Sequence, residues 1–300
     1  MNPRPEPVQR MQALSRTFIF LGILLVASVL ASIAASVISA TLFGEAFSIA
    51  PGQAMPTDDS VWWQLHLQNF VSQAVGFGGA AWVAHKIWNG GVPVGLPGPA
   101  VGRSAAPLLL AIVATVVCSP LLAASYEWNG TLIPEGGRLE AVFLPLEQMI
   151  EALTTYLASA EGARRVVVIL SVAGLPAIFE ELAFRGVLQP LLIRATGHAW
   201  VGIALASIIF SAIHFQFYGF MPRVLLGALF GWLACRSGSL VPGMLAHFVN
   251  NALAAVTLWV TGSMADDLMD LTPTVVGASL LLTAAATVAY DRVIRRSSPA

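Results

Sequence analysis

The stretch IFEELAFRG, residues 178–186, sets Glu180, Glu181 and Arg185 inside sequence that is otherwise apolar, with VVVILSVAGLP before it and VLQPLLI after it. A charge in hydrocarbon costs about 3 kcal/mol or more, so ionisable groups kept there are paired or do chemistry. Glu181 and Arg185 stand four residues apart and therefore share a helix face on which they can pair. Glu180 points about 100° away from Glu181, so the arginine can neutralise one acid while the other faces something else. Two of the five histidines also fall well inside apolar runs: His214 in SIIFSAIHFQ, one turn after Phe210, and His247 in PGMLAHFVNN, one turn before Asn251. Together these are the parts for acid–base hydrolysis. A carboxylate and a histidine can polarise a water, while a second histidine and an amide stabilise an oxyanion. The competing reading is a buried charge cluster that only fastens helices together.

The elements that must hold these groups are membrane helices. Hydrophobic residues make up 57% of the chain, charged residues 10%, and mean hydropathy is +0.77, whereas a soluble domain carries about 25% charged residues. The net charge of -1 offers no basic surface for nucleic acid. Cys118 and Cys235 lie in apolar runs and suggest neither a disulfide framework nor a zinc site. The expected fold is all-α, a polytopic helical bundle embedded in the lipid bilayer.

With about 20 apolar residues per span, eight segments qualify: 17–42, 62–84, 105–124, 165–192, 199–217, 220–236, 240–262 and 273–291. The basic N-terminal stretch has no small-residue cleavage site after it, so the first run is expected to be a retained span. The second span is polar in its first half, through Gln64, His66, Gln68, Asn69, Ser72 and Gln73. The fourth contains Pro176 and Pro190, and a kink or break is expected there. In the sixth, Gly227 and Gly231 form a GxxxG face for close helix approach.

Orientation follows the basic residues. With both termini cytoplasmic, Arg4, Arg10, Arg16, Lys86, Arg103, Arg194, Arg236, Arg292, Arg295 and Arg296 are inside, ten of the fifteen basic residues. Twelve of the sixteen acids, including Asp266, Asp267 and Asp270, are then outside. The outer segment 125–164 carries Leu146, Met149, Ile150, Leu153 and Leu157 at helical spacing. A helix on the outer leaflet and a lid over a cavity are both compatible with it. The chain divides into an N-terminal region of three spans and this loop (1–164), a core (165–255), and a C-terminal span with a basic tail (256–300).

Glu180-Glu181-Leu-Ala-Phe-Arg185, then Phe210-Ser-Ala-Ile-His214, then His247-Phe-Val-Asn-Asn251 resembles the three ordered motifs of the CPBP family, the CAAX protease and bacteriocin-processing (Abi) intramembrane proteases. The resemblance covers about 165–255. It implies an endopeptidase acting on a membrane-associated protein or peptide. Glu180 would activate water with His214, and His247 with Asn251 would form the oxyanion site. Glu181, Arg185 and Phe210 would support them. The family was first called metalloproteases; if a divalent metal such as zinc were bound, Glu180, His214 and His247 would be its candidates. With no HExxH on one helix, no metal and no other cofactor is expected. A proton-coupled transporter and a non-catalytic immunity or scaffold protein are the alternatives from other classes. The expected location is a bacterial inner, or cell, membrane.

One expectation sits awkwardly. At about 1.5 Å per residue, Glu180 and His247 fall roughly 10–15 Å from the inner face and His214 nearer 20 Å.

Overall fold

The computed structural model describes residues 6–49, 58–88, 104–262 and 271–297. Arg4, Arg103, Asp266, Asp267 and Asp270 lie outside the described residues. Among those described there is no strand, and the fold is all-α. Helix α1 spans Pro7–Phe43, opened by a capping box between Glu6 and Gln9 and closed by Gly44 at φ +85°. Helix α2 (Asp59–Val71) runs through a wide π turn, Ser72–Gly79, into α3 (Ala80–Ile87). Then come α4 (Ala106–Val117), α5 (Ser119–Gly130), α6 (Arg138–Ala158), α7 (Arg164–Val168), α8 (Leu175–Ala183), α9 (Gln189–Thr196), α10 (Ala199–Ala212), α11 (Phe220–Ser237), α12 (Val241–Thr261) and α13 (Pro273–Ser297).

Helix falls in each of the eight expected segments. Four helices, Pro7–Phe43, Arg164–Thr196, Val241–Thr261 and Pro273–Ser297, are long and apolar enough to cross a membrane, and α4 with α5 makes a fifth as a pair bent by 40°. Phe18, Leu25, Val29 and Ile33 on α1 and Leu280, Leu281 and Leu282 on α13 are exposed, as a lipid-facing surface requires. The protein is a multi-pass membrane protein.

The polar first half of the second segment has a physical reason. Gln64 Oε1 accepts from the Phe47 amide at 2.8 Å, and Gln68 Nε2 donates to the Phe47 carbonyl at 3.2 Å. His66 Nδ1 lies 2.6 Å from Ser171 Oγ, and Asn69 Nδ2 donates to the Ser171 carbonyl at 2.6 Å. Buried polar groups are tolerated because they are bonded, and here the bonds tie α2 to the helix that carries the glutamate pair.

The prolines of that helix do not break it; Arg164–Thr196 is continuous. Each proline is the second residue of an α-helical piece that follows a π turn: Ile169–Gly174 before Pro176, and Phe184–Leu188 before Pro190. Proline supplies no N–H and crowds the carbonyl four residues back; a widened turn relieves the crowding. The Val172 carbonyl, four residues before Pro176, instead accepts from Asn251 Nδ2 at 3.3 Å.

The fifth expected span, 199–217, is corrected. Helix α10 stops at Ala212, and Phe215 takes φ +54°, a left-handed conformation that ends helical propagation. The connection to α11 is held from outside by Asn129 of α5, whose Nδ2 donates to the carbonyls of Phe217 and Tyr218 at 2.5 and 3.0 Å. His214 therefore belongs to a turn just past the end of a short helix.

Helix α6 forms within the segment 125–164 and is fastened at its C-terminal end. Trp62 Nε1 donates to the Leu157 carbonyl and Trp259 Nε1 to the Ala158 carbonyl, at 3.2 and 2.5 Å, and the Tyr156 hydroxyl donates to the Asp58 carbonyl at 2.9 Å. These indole donors satisfy carbonyls that a helix C-terminus leaves without partners.

Candidate active site

Helix α8 carries both glutamates into the interior, Glu180 5% and Glu181 0% exposed, and Arg185, 1% exposed, is the second residue of the following π turn. Arg185 Nη1 donates to Glu181 Oε1 at 2.7 Å, so the i,i+4 pair exists as an ion pair. Its Nη2 donates to the Gly227 carbonyl at 2.9 Å, and Gln189 one turn later does the same to Gly231 at 2.9 Å. The GxxxG face thus gives close approach, and two polar side chains bond its exposed carbonyls. A Cβ on Gly231 would stand 2.3 Å from Gln189 Oε1. The guanidinium also packs over the Phe210 ring, 4.7 Å from its centroid, a cation–π contact in a water-poor site.

His247 on α12 meets both acids. Its Nδ1 lies 3.1 Å from Glu181 Oε1 and its Nε2 3.9 Å from Glu180 Oε2. A carboxylate only accepts, so Nδ1 carries the proton and Nε2 is left facing Glu180. Helix α12 comes this near because Gly243 has no side chain; a Cβ there would stand 3.2 Å from both Glu181 Oε2 and the Phe230 carbonyl. The Phe230 ring stacks on the imidazole with centroids 5.1 Å apart.

His214 is oriented differently. Its Nδ1 lies 2.7 Å from the Phe210 carbonyl, which can only accept, so Nδ1–H donates and Nε2 is an acceptor in the neutral ring. The carbonyl is one of those left open at the end of α10. Phe210 lies between the two histidines, with centroids 4.9 Å from His214 and 6.0 Å from His247. His214 is within electrostatic reach of Glu180, His247 and Arg223. Glu180, Glu181, Arg185, Phe210, His214 and His247 are therefore brought into one neighbourhood. Asn251 is one turn along α12 from His247, but its amide bonds to the Val172 carbonyl and to Asn250, not to the acids or histidines.

Among the described residues no group of three His, Cys, Asp or Glu side chains converges as a metal site. The Nδ1 atoms of His247 and His214 are engaged with Glu181 and the Phe210 carbonyl, and their Nε2 atoms are left open.

Sequence reasoning gave no site role to Gln73, whose Nε2 donates to Glu180 Oε1 at 2.8 Å, or to Asn129, which straps the His214 turn. For Gln73 a signal existed: His66, Asn69 and Gln73 recur at helical spacing in the polar first half of the second segment. Nothing comparable marks Asn129.

Residues 162–253 match the family of Rce1-like proteins, type II CAAX prenyl endopeptidase Rce1-like, consistent with the CPBP family indicated by the three motifs. No curated protein and no solved structure matches the chain. The matched segment contains Glu180 through Asn251, whereas Gln73 lies outside it.

Proposed function

We propose that this protein is a CPBP-type intramembrane endopeptidase that hydrolyses a peptide bond of a membrane-associated protein or peptide. The observation that carries the reading is the division of labour in the acid pair: Glu181 is bonded to Arg185 and His247, while the Glu180 Oε2 atom faces His247 Nε2 across 3.9 Å.

In the proposed reaction Glu180 accepts a proton from water as the water oxygen bonds to the scissile carbonyl carbon. His214, with Nε2 an acceptor, helps polarise that water. His247, with a proton on Nε2 as well as on Nδ1, donates from Nε2 to the oxyanion, and Asn251 adds its remaining N–H. Collapse breaks the C–N bond, and the proton held by Glu180 passes to the leaving amine. Burial of the centre strengthens each of these interactions.

The same reading places eight spans in a bacterial inner membrane with both termini cytoplasmic, which accounts for the division of basic and acidic residues.

The test compares membranes containing wild type or Glu180→Gln at equal expression, by quantitative proteomics of protein tails and leader peptides. Truncated species formed by wild type and absent with Glu180→Gln are expected, and they name the substrate. Identical profiles from two correctly inserted proteins overturn the proposal and favour a carrier or a scaffold.

A further inference from the structure

Glu180 has a partner that none of the three motifs contains. Gln73 comes from the π turn joining α2 to α3, is 6% exposed, and donates from Nε2 to Glu180 Oε1 at 2.8 Å. Because a carboxylate only accepts, the amide nitrogen must be the end turned toward it. The turn is pressed against α8: a Cβ on Gly78 would stand 2.6 Å from Phe179 Cδ1. The residues that precede Gln73 on its face, His66 and Asn69, are bonded to Ser171, so α2 is locked in register with the helix bearing Glu180.

The other end of Gln73 behaves differently. Its Oε1 is buried and has no protein hydrogen-bond partner among the described residues. The two oxygens of Glu180 are also distinguished. Oε1 takes the amide hydrogen, and Oε2 is turned to His247.

We infer that Gln73 is a positioning residue for the proposed peptidase reaction: its amide fixes the rotation of the Glu180 carboxylate so that Oε2 is the atom that receives the proton of the attacking water. This rests on the peptidase reading. It adds a contribution from the N-terminal half of the chain, outside the segment shared with the Rce1-like family. A carboxylate free to rotate presents the wrong oxygen or the wrong lone pair for part of the time, and misplacement of a reacting group by about 1 Å can cost 100-fold in rate.

Gln73→Met keeps the length and volume of the side chain and removes the donor. Two measurements are made on the full chain. Infrared difference spectra of wild type against Glu180→Gln isolate the carboxylate bands of Glu180, and the same difference is taken in the Gln73→Met background. Separately, the rate at which truncated tails and leader peptides form in membranes is compared at equal expression. The expected result is shifted Glu180 bands, an unchanged melting temperature, and cleavage slowed by about 10- to 100-fold. Unshifted bands, or cleavage at the wild-type rate, overturn the inference. A loss of melting temperature that accounts for the slower cleavage, with bands unshifted, also overturns it, since a packing role predicts that pattern. If wild type cleaves nothing while the bands still shift, the peptidase reading fails and Gln73 stands as the residue that orients Glu180.

Discussion

His247 and Glu181 are joined across two helices by a hydrogen bond of 3.1 Å from Nδ1 to Oε1, and the same carboxylate oxygen accepts from Arg185 at 2.7 Å. One buried acid thus orients the histidine through Nδ1 and holds the arginine, and its neighbour in sequence is left for other work. Adjacent glutamates on a helix cannot do the same job, because their side chains diverge by about 100°.

That division separates two substitutions that look alike. Glu180→Gln is expected to lower cleavage by at least about 100-fold with an unchanged melting temperature. Glu181→Gln removes one partner of a buried ion pair, a change that costs about 3–5 kcal/mol. It should lower the melting temperature, and activity should fall with it. Thermal unfolding in detergent alongside membrane cleavage separates the two; equal melting temperatures for both variants would refute the assignment.

Asn251→Leu leaves the Val172 carbonyl, which Pro176 cannot serve, without its side-chain donor. A half-buried carbonyl stranded in this way costs about 1 kcal/mol. The expected loss of stability should be much smaller when Pro176→Ala is combined with it, since alanine restores an N–H at that position. A double-mutant cycle on unfolding free energy measures the coupling, and additivity would count against the explanation.

Gly202 lets α10 lie directly on α9: a Cβ there would come 2.6 Å from the Ile193 backbone nitrogen and 2.7 Å from its Cα. Backbone cannot swing aside as a side-chain tip can. Gly202→Ala is expected to cost about 3 kcal/mol and to disturb Phe210 and the His214 turn at the far end of α10. Gly277, where a Cβ meets nothing within 4 Å, serves as the control, and Gly277→Ala should be tolerated.

Glu147 gives α6 a pH dependence. Burial raises its carboxyl above the ordinary value of 4.5, Arg223 opposes the shift and Glu151 adds to it. Between 4.5 and the raised value the docked helix holds a proton that the undocked helix releases, so docking weakens as pH rises through that window. Amide hydrogen exchange of residues 138–158, corrected for the intrinsic rate, should show protection falling over this range in wild type and staying level in Glu147→Gln. A flat wild-type profile would contradict the burial of this carboxyl.

The motifs, the Glu181–Arg185 pair, the close approach at Gly227 and Gly231 and the helical character of all eight segments were legible in the sequence. Each depends on residues near one another along a single helix, where period and spacing determine which side chains share a face. Composition likewise determined the membrane, since so few charges cannot cover a soluble surface. The stop of α10 at Ala212 was not legible. No glycine or proline marks it, and the turn is held by Asn129, 88 residues from Phe217 in the chain. Gln73 could be seen as an odd polar residue but not as the partner of Glu180, 107 residues away. Nor could the prolines be read as π turns, because the carbonyl freed at Val172 is satisfied by Asn251 on another helix. The sequence by itself determined which groups are present and which face of each helix they occupy. Only the tertiary structure decided which oxygen of Glu180 is held and which faces His247, because hydrogen bonds between helices depend on relative height and rotation, and no local pattern encodes those.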